Sequence, residues 1–111
     1  MKIHKTSIVH KEAIIGENVE IGPYCIIEKN VKIGNNTKIL PYVHIHSNTT
    51  IGKDNIIHEN SVLGGAPQDL KFKDEFSELI IGDNNTIREN CTLNRGTEAS
   101  GKTIIGSNCL F

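Results

Sequence analysis

The chain has no tryptophan, one methionine, three cysteines and three prolines, and aromatic side chains make up 5% of its 111 residues. Twelve Lys and Arg stand against 13 Asp and Glu, a net charge of −1 with the two signs interspersed. Such a surface sets up no field for nucleic acid or for an anionic membrane. No apolar run approaches the length of a membrane span, and the opening Met1-Lys2-Ile3-His4 has no signal-peptide character. These absences predict a cytoplasmic protein with no membrane insertion and no nucleic-acid partner. At this length it is one domain.

What the chain does have is a step of six. Ile15, Ile21, Ile27, Ile33, Ile39, Ile45, Ile51, Ile57 and Leu63 keep that step, and Ile3 and Val9 extend it backwards. The same phase returns at Ile81, Ile87, Leu93, Ile105 and Phe111, with Asp69, Glu75 and Ala99 as the only exceptions. Six fits neither a helix nor the alternation of a half-buried strand. It is the period of a hexapeptide repeat and predicts an all-β parallel β-helix. Other positions agree. Seven of the ten glycines follow the aliphatic residue directly, and eight of the twelve asparagines stand three positions after it. Asn tolerates the left-handed backbone that a sharp corner needs. Four positions after the aliphatic comes a small or β-branched residue, among them Val19, Cys25, Val31, Thr37, Val43, Thr49 and Ser61. Three hexapeptides close an 18-residue coil, so the chain is expected to make about six coils around a stack of isoleucines.

The cysteines and histidines are candidates for metal or redox chemistry, and the register speaks against it. Cys25, Cys91 and Cys109 fall at the small inward position, where Cys acts as a compact hydrophobe. Cys91 and Cys109 are 18 apart and are expected to stack on adjacent coils. His4, His10, His46 and His58 follow the inward aliphatic and His44 precedes it, but no two histidines differ by 18. Surface histidines and no metal are therefore expected within one chain.

Two stretches interrupt the column. Residues 1–64 read as regular coils, 65–79 (GAPQDLKFKDEFSEL) as an extruded loop, and 80–111 as further coils with an irregular patch at 95–102. The loop holds Phe72 and Phe76, two of only three phenylalanines, and such loops are commonly functional. The patch reads as the milder excursion, because Leu93 and Ile105 are still two repeats apart.

These stretches carry a resemblance. Gly64-Gly65-Ala66-Pro67-Gln68-Asp69-Leu70-Lys71, then Ile87-Arg88-Glu89, then Asn94-Arg95-Gly96-Thr97 resemble the UDP-N-acetylglucosamine O-acyltransferases of lipid A biosynthesis, along the whole chain. The resemblance implies a left-handed β-helix, a homotrimer with clefts between columns, and no metal or other cofactor. It implies transfer of an (R)-3-hydroxyacyl group from acyl carrier protein to the 3-hydroxyl of UDP-N-acetylglucosamine. Gln68, Asp69 and Lys71 would line the substrate cleft, the Asp toward hydroxyls and the Lys toward the sugar nucleotide. Asn94, Arg95, Gly96 and Thr97 would line the acyl-donor side.

The chain departs from that family at Glu98-Ala99-Ser100-Gly101, one residue shorter than the usual glycine-rich version, which alters the cleft edge. The family's general-base histidine would fall just past Phe111, with further coils and a helical region after it. No histidine present matches its motif, so an inactive N-terminal fragment is expected. The alternatives are an N-acyltransferase of a related amino-sugar pathway and a non-enzymatic structural β-helix.

Overall fold

The computed structural model describes residues 1–65, 77–95 and 101–111. The described chain winds through five coils of three short strands each. The first coil is β1 (Lys2–Ile3), β2 (Ile8–Val9) and β3 (Ile14–Ile15); the second is β4 (Glu20–Ile21), β5 (Ile26–Ile27) and β6 (Val31–Ile33). The third holds β7 (Lys38–Ile39), β8 (His44–Ile45) and β9 (Thr49–Ile51), and the fourth β10 (Ile56–Ile57), β11 (Val62–Gly65) and β12 (Glu78–Ile81). The fifth is β13 (Thr86–Ile87), β14 (Thr92–Asn94) and β15 (Lys102–Ile105). Equivalent strands pair in parallel into three five-stranded sheets, led by β1, β2 and β3. The winding is left-handed. Strands this short accumulate little of the twist that sets the usual right-handed crossover. Among the described residues no helix is long and apolar enough to cross a membrane.

The inward phase is as the period of six predicts. Ile21, Ile27, Ile33, Ile39, Ile45, Ile51, Ile57, Leu63, Ile81 and Ile87 are all buried. Each such burial contributes about 1.5–3 kcal/mol before chain entropy is counted. Ile3 is exposed, since β1 pairs with β4 on one side and, among the described residues, with no strand on the other.

The described residues complete five coils, and the bridge between Thr86 and Leu110 opens a sixth. Lower strands pair 18 residues apart, as in Ile33↔Ile51, but Ile51 pairs with Ile81 and Leu63 with Leu93, 30 apart. Ile81 then pairs with Ile105, 24 apart. Twelve and six residues are thus extra, together one coil's worth. Both numbers are multiples of six, so the aliphatic phase resumes in step after each insertion, and its three exceptions, Asp69, Glu75 and Ala99, mark the three extra hexapeptides. The patch after Leu93 is therefore a true insertion and not a mild excursion. Cys91 and Cys109 do not stack either: Cys91 sits over Ser61, and Cys109 over Asn85. The expected 65–79 loop has strand at both edges, Gly65 in β11 and Glu78 and Leu79 in β12; its centre, 66–76, lies outside the described residues.

All eight asparagines singled out as corner residues have φ between 58° and 64°, and Tyr24, Tyr42 and Asp54 share the same phase and conformation. Tyr24 and Tyr42 stack at 5.3 Å on one corner, each following a proline. Glycine has a different role in the column. A Cβ on Gly34 would lie 2.6 Å from the carbonyl carbon of Gly52, so one coil's backbone seats directly on the next.

Coils are also stitched together from inside. Ser7 Oγ donates to the Gly22 carbonyl and accepts from the Cys25 N–H. Thr37 donates to Gly52 and accepts from Asn55; Ser61 donates to Arg88 and accepts from Cys91. Asn55 and Asn85 do the same toward Gly82 with Asn85, and Gly106 with Cys109. These two buried asparagines take the small position where only compact side chains were expected. Even Cys25 follows the pattern, its Sγ 3.1 Å from the Leu40 carbonyl, and burial pushes its thiol pKa up.

The stitch fails where the first insertion passes. Thr49 is stacked under Leu79, and its buried hydroxyl has no hydrogen-bond partner among the described residues. The carbonyl and N–H that such a hydroxyl would join lie on opposite sides of the insertion. Thr49→Val is therefore expected to be neutral or to raise the urea midpoint, whereas Thr37→Val should cost about 1–2 kcal/mol by orphaning buried backbone groups. Equal losses in equilibrium unfolding would refute this difference.

Candidate functional site

Both insertions leave the column at one corner, the one between the second and third sheets. β11 ends at Gly65 and β14 at Asn94, these two residues pair, and the Arg95 N–H donates to the Gly65 carbonyl at 2.8 Å. Of the residues predicted for a site, Asn94 and Arg95 thus stand half-buried beside the root of the first insertion. Gln68, Asp69, Lys71, Gly96 and Thr97 lie outside the described residues.

Directly below this corner is a group that histidine spacing alone did not reveal. His44 ends up on the outer face of β8, His46 at the corner after it, and Glu28 at the same corner one coil down. Glu28 and His46 are 18 apart, so the signal was present, but it joins a carboxylate to a histidine and not two histidines. The expectation of five unconnected surface histidines is corrected accordingly. His44 Nε2 donates to Glu28 Oε2 at 2.6 Å, and His46 Nδ1 lies 3.2 Å from the same oxygen. The two rings stack, with centroids 3.9 Å apart. The Ser47 N–H and hydroxyl donate to the other carboxylate oxygen, Oε1, at 3.3 and 3.2 Å. All three side chains are about one-third exposed. A Cβ on Gly65 would come within 4.0 Å of the His46 ring, so the cluster abuts the corner that carries Asn94 and Arg95.

The electrostatics follow from this packing. Burial pushes the Glu28 carboxyl up, but the His44 hydrogen bond, the Ser47 donors and the His46 charge outweigh it and leave its pKa lowered. His46 is lowered too, by burial first and then by the positive charges of His44 and Arg95, against the pull of Glu28. Both groups bind fewer protons folded than unfolded, so stability rises with pH across their windows. On acidification the His46 contribution is lost as pH falls from its ordinary 6.5 toward its lower folded value, and the Glu28 contribution below 4.5. His46→Gln is expected to flatten the upper part of a melting-temperature-against-pH curve and leave the lower part; an unchanged curve would contradict the assignment.

One corner round, Arg88 Nε donates to Glu89 Oε1 at 2.9 Å, and His58 Nδ1 lies 3.7 Å from both Glu59 and Glu89. The Arg88 hydrogen bond pulls the Glu89 carboxyl down to about 2. This pair is exposed, and it faces away from the corner of the insertions.

Coils, corners and inner stitches define a hexapeptide-repeat β-helix, and the bacterial transferase hexapeptide family (six repeats) matches residues 30–65. An acyl-[acyl-carrier-protein]–UDP-N-acetylglucosamine O-acyltransferase of Sulfurimonas denitrificans is 62% identical over 111 residues, 99% of this chain and 42% of that protein. The enzyme of the same name from Chlorobaculum parvum is 59% identical over 98% of this chain and 41% of its own length. A solved UDP-N-acetylglucosamine acyltransferase of Bacteroides fragilis superimposes with a TM-score of 0.97 at 52% identity, covering 98% of this chain and 43% of that one. The chain is similar to these acyltransferases along nearly its whole length and spans about two fifths of the length of the relatives it matches.

Proposed function

We propose that the chain is part of an O-acyltransferase of lipid A biosynthesis. The reaction moves an (R)-3-hydroxyacyl group from acyl carrier protein to the 3-hydroxyl of UDP-N-acetylglucosamine. The observation that carries this reading is identity of 59–62% along nearly the whole chain to relatives bearing that name. Arg95 and Asn94 support it, since they meet the root of the loop that holds Gln68, Asp69 and Lys71. In this reading Asp69 and Gln68 hold substrate hydroxyls, and Lys71 offers its ammonium to sugar or phosphate oxygens. Asn94, Arg95, Gly96 and Thr97 flank the acyl donor. The columns assemble as a homotrimer in the bacterial cytoplasm, so that each cleft has two walls.

The test is a chimera in which these 111 residues replace their counterpart in the Chlorobaculum parvum enzyme. The expected product is the 3-O-acyl ester. Asp69→Ala in that chimera should cut turnover roughly ten- to hundredfold, the worth of a charged hydrogen bond, while the circular dichroism spectrum stays unchanged. An amide product, or a folded chimera without transfer, would overturn the reading. Unfolding of the Asp69 variant would make the loop a brace instead of a binding element.

A further inference from the structure

We infer that Glu28, His44 and His46 form a binding site for a divalent transition-metal ion of the zinc class. The chemistry of the donors comes first. Two imidazoles and one carboxylate are a ligand set that zinc-class ions accept, with metal–ligand distances of about 2.0–2.2 Å. Two ligands on one tetrahedral ion then stand about 3.3 Å apart. The three donor atoms already lie within 4.8 Å of one another, and His46 Nδ1 is 3.2 Å from Glu28 Oε2. An ion entering between the two nitrogens and Glu28 Oε2 needs only a modest tilt of the rings, which opens the 2.6 Å His44–Glu28 pair to about the ligand–ligand spacing.

The fold prepares this arrangement in two ways. His44 and His46 are two apart across the end of β8, where the chain turns its corner, and the parallel stacking of coils sets Glu28 at the corner below. The ligands therefore come from adjacent coils whose separation the sheet holds constant. Second, Ser47 holds Glu28 Oε1 with both its N–H and its hydroxyl, which leaves Oε2 turned toward the histidines. Supporting hydrogen bonds of this kind orient the first ligands of known metal sites. With three protein ligands, one position remains for water, and the part-exposed side chains leave the ion a way in. Binding would displace the proton shared between His44 and Glu28. The positive charge of Arg95 opposes it, which sets the affinity below that of a fully anionic site.

The experiment uses the purified, untagged chain, stripped with chelator and titrated with Zn²⁺ against a chromophoric competitor, with Co²⁺ as a spectroscopic probe. The expected result is one tightly held zinc per chain and the visible bands of nitrogen-ligated tetrahedral cobalt. His44→Ala, His46→Ala and Glu28→Gln should each weaken binding by at least the roughly 10–100-fold that loss of a mere supporting partner costs. His10→Ala and His58→Ala should leave it unchanged. No competing zinc, octahedral all-oxygen cobalt bands, or equal loss in the His10 and His58 variants would overturn the site. Loss of stability in the ligand variants with no zinc bound by the parent chain would make the cluster a structural hydrogen-bond network only. The cobalt spectrum of the unmutated chain decides the matter even if a variant fails to fold.

Discussion

Ile33→Asn yields no soluble folded protein, while Lys32→Asn melts within a few degrees of the parent. Ile33 is 2% exposed and packs between Ile15 and Ile51 in its sheet, whereas Lys32 points to solvent. Truncating a buried aliphatic of this size costs about 2–5 kcal/mol, and an unpaired buried amide adds about 1–3 kcal/mol. The sum rivals the whole stability of a typical domain, about 5–15 kcal/mol. An exposed substitution beside it changes stability by about 0.5 kcal/mol or less. Soluble expression and thermal melting of the two variants check this, and equal behaviour would show the inward register to be wrong.

The second large effect is expected at Asn55. Its side chain accepts the Asn85 N–H at 2.8 Å and donates to the Gly82 carbonyl at 2.9 Å, inside the column. Asn55→Leu keeps the branching at Cγ, adds bulk, and orphans both backbone groups, at about 1–3 kcal/mol each. Thr at this position, as at Thr37 one coil below, reaches the same two groups and should recover part of the loss. Urea unfolding distinguishes the variants. If Leu is as stable as Asn, the inner stitch contributes nothing and the isoleucine stack alone holds the coils in register.

The column could be read from the chain because its physics is local and repeated. Each Ile of the phase sees the same surroundings as the next, so one correct assignment places ten buried residues, and the asparagine corners follow from the αL preference of a single residue type. What escaped was whatever depends on how far apart two coils lie in the chain. Insertions of twelve and six residues let the phase resume in step, so the true partners of Cys91 and Cys109 needed the pairing itself. Buried Asn55 and Asn85 were passed over because a large amide is costly inside unless satisfied, and the groups that satisfy it sit 27 and 30 residues away, beyond the insertion, or 21 and 24 away. At the corner of the insertions the motifs of the resembled family singled out Asn94 and Arg95. The Glu28 cluster was missed because like was compared only with like.

The uniform 18-residue spacing of the lower coils bears on how the chain folds. From β1 to β10, where each strand meets the one a coil below, every pairing closes the same short loop, so structure can spread upward one coil at a time. Pairing across 30 residues instead adds only about 0.5 kcal/mol of closure entropy, because that term grows with the logarithm of length. The insertions are thus pauses in a zipper rather than barriers to it. Amide protons should exchange slowest in the third coil, between neighbours on both sides, and fastest at β1 and β15, where the zipper opens to water.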